Sequence, residues 1–200
     1  EAERMACIGK ITTSLSHELR NPLSAVKMNL QILKKNHQFT DNDQRRIDIS
    51  VNEVMRLEGI LREILDFAKP LHLTPGECDI NQILAACLEL LNVQFEQKRL
   101  AVIQAFAADI PPIQADGEKL SQAVINLLLN AFDASDQERR IWVTSRYHPQ
   151  GDASNVEISI DDEGNGIVKK QLRDIFEPFF TTKVNGTGLG LTNVKRIVEA

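Results

Sequence analysis

Apolar residues recur every three or four positions through the first part of the chain, as Ile8, Ile11, Leu15, Leu19, Pro22, Val26, Leu30 and Leu33. At roughly 100° per residue they fall on one narrow stripe, which predicts a long amphipathic helix. A polar cluster from Asn36 to Asp43 predicts a turn. A second stripe, Ile47, Val51, Val54, Leu57, Leu61, Ile64 and Ala68, predicts a second helix. Two such helices joined by a short turn form an antiparallel hairpin whose apolar stripe is half uncovered. A second copy is expected to cover it in a four-helix bundle, which makes the chain a homodimer by expectation.

Beyond Ala68 the pattern changes. Pro70, Pro75 and Gly76 punctuate the chain, and residues 70–78 are read as a linker between a helical domain, 1–69, and a second domain, 79–200. The second domain mixes periods. Helical spacing covers Ile80 to Phe95 and the stretch from Asp116, a side chain suited to an N-cap, to about Ser135. Strands are predicted over Leu100 to Phe106, Ile141 to Tyr147 and Val156 to Asp161. A loop-rich stretch runs from Gly164 to Gly188, and a last helix starts near Leu189.

Composition narrows the classes. The chain has 200 residues, 42% of them hydrophobic and 26% charged, with a formal net charge of -5. That balance suits a globular protein, and the absence of a basic stripe argues against nucleic acid as a partner. No apolar run approaches the roughly 18 residues that a membrane helix needs, and no signal peptide opens the chain. The expectation is a cytoplasmic segment with no membrane contact of its own. Its first residues read as mid-helix, so it is expected to belong to a longer protein, whose attachment to the inner membrane stays open. Cys7, Cys78 and Cys87 are irregularly spaced and are read as small buried thiols.

Candidate chemistry begins at Ser16-His17-Glu18-Leu19-Arg20-Asn21-Pro22-Leu23. His17 lies roughly 200° round the helix from Leu15 and is expected to face solvent. Glu18 can accept a hydrogen bond from one ring nitrogen, which fixes the tautomer and leaves the other nitrogen a nucleophile near neutral pH. Asn21, one turn on, offers an amide to a water. Pro22 costs a mid-helix position about 3 kcal/mol, so a kink just past His17 is expected. In the second domain Lys119, Gln122, Asn126, Asn130 and Asp133 share one face of the helix that starts at Asp116. Two asparagines on so apolar a helix suggest a ligand, and their carbonyls are hard oxygens suited to Mg²⁺ that phosphates also hold. Asp162, Gly164 and Gly166 follow a strand, where glycine permits close approach to a flat ligand. Thr182 and Lys183 precede a glycine-rich run, Gly186-Thr187-Gly188-Leu189-Gly190, that opens a helix and so suits phosphate. Phe176 and Phe179 are read as core packing.

These segments together resemble one family. SHELRNPL (16–23) is similar to the phosphoacceptor box of sensor histidine kinases, and NLLLNAFDAS (126–135) to their asparagine box. DDEGNGI (161–167) resembles the first glycine box, FEPFFTTK (176–183) the phenylalanine box and GTGLGL (186–191) the second glycine box. All five stand in family order. The resemblance implies a fold of class α + α/β: a helical hairpin for dimerisation and phosphotransfer, then a two-layer α/β sandwich that binds ATP, of the type shared with gyrase and the Hsp90 chaperones. It implies that His17 accepts the γ-phosphoryl group with Glu18 as base, and that Asn21 helps dephosphorylate a response regulator, whose receiver domain is the expected partner. Asn130 would ligate Mg²⁺, Asn126 would contact phosphate and Asp162 would read the adenine amino group. Gly164 and Gly166 would line the base pocket. Asp133, Thr181, Thr182, Lys183, Gly186, Thr187, Gly188, Leu189 and Gly190 would surround the nucleotide, with a short lid. Family members continue past the last helix into further strands, so the sheet is expected to be incomplete at Ala200. Two rival readings are an ATPase of the gyrase and Hsp90 type, which needs a glutamate where Asn126 stands, and a nucleotide-binding scaffold without turnover.

Overall fold

A computed structural model describes residues 23–24, 26–33, 40–149, 154–183 and 186–200. The chain divides into two compact units at Pro70–Leu71. In the first unit, residues 23–24 and 26–33 are helical (α1) and α2 runs from Asp41 to Ala68. The start of α2 is set by a capping box at Thr40. Its hydroxyl accepts from the Asp43 N–H at 3.3 Å, and the Thr40 N–H donates to Asp43 Oδ2 at 3.3 Å. The Thr40 hydroxyl also donates to the Asp43 carboxylate, which is the chief cause of that group's lowered pKa. Lys27 Nζ lies 2.7 Å from Glu58 Oε2 and ties α1 to α2. Of the expected stripe of α2, Ile47 and Val54 are buried and Leu57 is exposed, while Leu65 and Phe67, which lie outside that expected stripe, are buried as well.

The second unit is built on a three-stranded sheet in the order β2-β4-β5, with β2 at Ala101–Phe106, β4 at Arg140–His148 and β5 at Asn155–Asp162. β2 and β4 are parallel, with Ala101 opposite Arg140. β4 and β5 are antiparallel, with Ile141 opposite Asp162. The period of two in β4 turns Ile141, Val143 and Ser145 inward, where all three are buried. Helices α3 (Ile80–Gln97) and α4 (Gly117–Ala134) bring Leu84, Leu88, Leu91, Phe95, Val124, Leu128 and Ala131 into the same core. A last helix, α5 (Gly190–Glu199), joins α4 through a smaller cluster in which Val194 and Ile197 meet Ala123, with Leu71 and Leu127 against it.

The expected linker is more ordered than its prolines suggest. Gly76–Cys78 forms strand β1, antiparallel to β3 at Ile113–Ala115, a small second sheet that the sequence pattern does not reveal. The Thr74 N–H donates to Asp116 Oδ2 at 2.8 Å, and Asp116 Oδ1 accepts from the Lys119 N–H at 3.0 Å. One carboxylate therefore caps α4 and holds the incoming chain, and the Thr74 bond is the chief reason its pKa is lowered. Of the cysteines, Cys87 is buried, which raises its thiol pKa, and Cys78 is half-buried; Cys7 lies outside the described residues.

Candidate functional site

Burial on one side of α4 determines what its other side presents. Leu128 is 0% exposed and Ala131 and Val124 are 3% exposed, so the helix cannot rotate without exposing its core face. Asn126, Asn130 and Asp133 recur at intervals of four and three residues and so share a face. That face meets the first turn of α5. A Cβ placed on Gly190 would lie 3.9 Å from Asn126 Oδ1 and 4.0 Å from Asn130 Nδ2. Leu189, the N-cap of α5, makes no side-chain cap bond and is itself buried. The two asparagines therefore stand beside the first turn of α5, and a helix N-terminus favours an anion near it.

The loop before α5 is shaped by backbone contact. Gly188 has φ +70, and a Cβ there would lie 2.5 Å from both Phe179 C and Phe180 O. The Phe179 N–H donates to Gly188 O at 3.1 Å, so the phenylalanine and second glycine segments are held back to back. Phe179 itself has φ +67, a rare conformation for a bulky side chain. Phe176 and Phe179 are 40% and 51% exposed, against the expectation that they pack in the core. The ring of Phe176 lies under Lys195 of α5, 6.0 Å from Nζ. Their positions are decided by the chain's attachment to Gly188 and by α5, which no local pattern reports.

Lys183 reaches back from this loop to α4. Its ammonium donates to Asn130 Oδ1 at 2.9 Å and to Asp133 Oδ2 at 2.6 Å. Thr181 Oγ1 accepts from the Lys183 N–H at 3.1 Å, and the Gly186 N–H donates to Lys183 O at 3.3 Å. Thr182 is exposed, and the Leu189 N–H donates to Thr187 Oγ1 at 3.4 Å.

At the end of β5, Asp162 Oδ1 accepts from the Gly164 N–H at 2.8 Å. Gly164 passes so close to the end of α4 that an added Cβ would lie 2.5 Å from Ala134 O. Gly166 has φ +67. Between them and the sheet stands a clamp that sequence reading missed. Arg140 donates through Nη2 and Nε to Glu163 Oε1 at 2.7 and 3.2 Å, and its N–H donates to Glu163 Oε2 at 3.0 Å. The side-chain bond from Arg140 is the leading cause of a lowered Glu163 pKa. Twenty-three residues separate the pair, and no spacing rule would join them.

The structure therefore brings Asn126, Asn130, Asp133, Lys183 and Gly190 together on the C-terminal half of α4, and places Gly164, with Asp162 beside it, against Ala134 at the C-terminal end of the same helix. His17, Glu18 and Asn21 lie outside the described residues. The donor chemistry is compatible with a nucleotide-held Mg²⁺: Asn130 Oδ1 accepts from the Lys183 ammonium, and an amide oxygen is a hard ligand that would leave further positions to phosphate oxygens. Among the described residues no group of three or more His, Cys, Asp and Glu side chains could hold a metal alone.

An α/β layer with a glycine turn feeding a helix beside paired asparagines defines a nucleotide-binding class of fold. Residues 115–200 match the family described as histidine kinase-, DNA gyrase B-, and HSP90-like ATPase, and residues 8–72 match the His Kinase A (phospho-acceptor) domain. The chain belongs to the sensor histidine kinases of two-component systems. It is 33% identical to the signal transduction histidine-protein kinase AtoS of Escherichia coli (strain K12), over 100% of this chain and 32% of that protein. It is 34% identical to the sensor histidine kinase ZraS of the same strain, over 98% of this chain and 42% of that protein. The chain thus spans less than half the length of these relatives. Among solved structures, full-length ShkA in complex with AMPPNP superposes with a TM-score of 0.80 at 25% identity, over 96% of this chain and 41% of that one. ThkA in complex with the response regulator protein TrrA gives 0.66 at 28% identity, over 90% of this chain and 53% of that one. Among the described residues no helix is long and apolar enough to cross a membrane.

Proposed function

We propose that the chain is the catalytic core of a histidine kinase that transfers the γ-phosphoryl group of ATP to His17 and then to an aspartate of a response regulator. The observation that carries this reading is the meeting of Asn126 and Asn130 with the first turn of α5 beside the Gly188 turn. Phosphoryl transfer depends chiefly on positioning and on charge stabilisation. The first turn of α5 and Asn126 receive phosphate, Asn130 holds Mg²⁺ through Oδ1, and Asp162 accepts from the adenine amino group. Mg²⁺, when bound, neutralises charge on the phosphates. Glu18 takes the proton from one ring nitrogen of His17 while the other attacks the γ-phosphorus, and the bond to the β-phosphate oxygen breaks to release ADP. The helical unit pairs with a second copy, and Asn21 orients a water that hydrolyses the aspartyl phosphate of the regulator and releases inorganic phosphate. That ShkA binds AMPPNP and ThkA binds TrrA supports the nucleotide and the partner. The reading places this part of the protein in the cytoplasm.

Incubation with γ-labelled ATP and Mg²⁺ tests it. Label that is stable in alkali and lost in acid is expected, and His17→Gln is expected to abolish it while ATP still binds. Label entering the His17→Gln protein overturns the assignment.

A further inference from the structure

The ammonium of Lys183 is held by two groups of α4 at once, Asn130 Oδ1 at 2.9 Å and Asp133 Oδ2 at 2.6 Å. Residues three apart on a helix are neighbours, so one cation reaches both. The Lys183 and Asp133 side chains are 40% and 48% exposed, so water screens the pair and burial does not lock it. The backbone of Lys183 is secured separately, by Thr181 Oγ1 and the Gly186 N–H. Its flexible four-carbon stem can therefore change partner while the loop keeps its course.

Asn130 Oδ1 is also the atom assigned above to Mg²⁺. An ammonium and a divalent ion sharing one oxygen would repel each other by more than a screened surface ion pair returns. The Lys183 contact and the metal are therefore alternatives. Phosphate, for its part, competes with Asp133 for the ammonium. We propose that Asp133 is a positioning residue that holds Lys183 on α4 and opposes loading of Mg·ATP, so that nucleotide binds as Lys183 leaves Asp133 for the phosphates. Asp133 then acts on the nucleotide through Lys183 and does not touch it. The proposal rests on the nucleotide-binding reading.

Calorimetric titration of the chain with ATP at saturating Mg²⁺ tests it on four proteins: unaltered, Asp133→Asn, Lys183→Met and the double variant. An exposed ion pair of this kind corresponds to a factor of about two to five in an equilibrium constant. Asp133→Asn is expected to tighten ATP binding by roughly that factor when Lys183 is present, and to lose the effect in the Lys183→Met background. A change of equal size in both backgrounds, no change in either, or a Lys183-dependent loss of affinity overturns the proposal. Failure of the unaltered chain to bind Mg·ATP would instead remove the nucleotide reading itself, and the proposal with it. Both substitutions fall on exposed side chains, so the four proteins are expected to fold alike, which their melting curves check.

Discussion

The turns at Gly164 and Gly188 both exclude a side chain, but for different physical reasons. At Gly164 the constraint is approach: the loop leaving β5 runs against the end of α4, and a Cβ would lie 2.5 Å from Ala134 O and 2.6 Å from Asp162 Oδ1. At Gly188 the constraint is double. A Cβ would meet the backbone of Phe179 and Phe180, and φ is +70, which any L side chain adopts at a cost. The first turn sits between two well-packed elements and is reinforced by the Arg140–Glu163 clamp. The second joins a loop to the first turn of α5 and shapes the proposed phosphate end of the site. A glycine box is therefore two kinds of device, one set by packing and one by backbone conformation as well.

Substitution separates them. Gly188→Ala meets both costs, and about 2–4 kcal/mol of stability is expected to be lost, with ATP affinity falling at least tenfold. Chemical denaturation and calorimetry measure the two losses. Gly164→Ala meets the contact alone, and about 1–3 kcal/mol is expected, with a smaller loss of ATP affinity. If Gly164→Ala proves the more damaging, the base end of the site is the more tightly built and the comparison reverses. The smallest effect is expected from Glu163→Gln. The Glu163 pKa is lowered in the folded chain, chiefly by Arg140, so the clamp stabilises above the unfolded carboxylate pKa. That contribution is lost as pH falls through the folded pKa. Melting curves across the acid range are expected to show Glu163→Gln slightly less stable at neutral pH, with the difference vanishing in acid. A constant difference at every pH would mean that the Glu163 charge does not matter.

Much of the fold was legible because its elements are long enough to show a period. α3, α4 and the three strands of the main sheet lie within a few residues of their expected bounds, and Asp116 is the N-cap of α4. β1 and β3 were not legible: three residues give too few alternations to read, and Gly76 is paired with Ala115 far along the chain. The glycine and asparagine positions were visible as residue types at helix and strand ends. The exposure of Phe176 and Phe179 was not, because an aromatic residue in a loop carries no sign of which side it presents. His17 is the converse case, since the chemistry proposed for it is read wholly from its sequence neighbours Glu18, Asn21 and Pro22.

The sequence by itself determined the order of the longer helices and strands, the apolar face of α4, and the set of residue types proposed to bind a nucleotide. Each of these depends on the spacing of neighbours along the chain, which the backbone geometry of helix and strand converts directly into position. Only the tertiary structure decided that Lys183 rests on Asp133 and Asn130, that Arg140 grips Glu163, and that Gly164 must clear Ala134. Those pairings join residues separated by 23 to 53 positions along the chain. Their energies depend on distance and geometry in the packed state, and these exist only once the helices and sheet have closed on a common core.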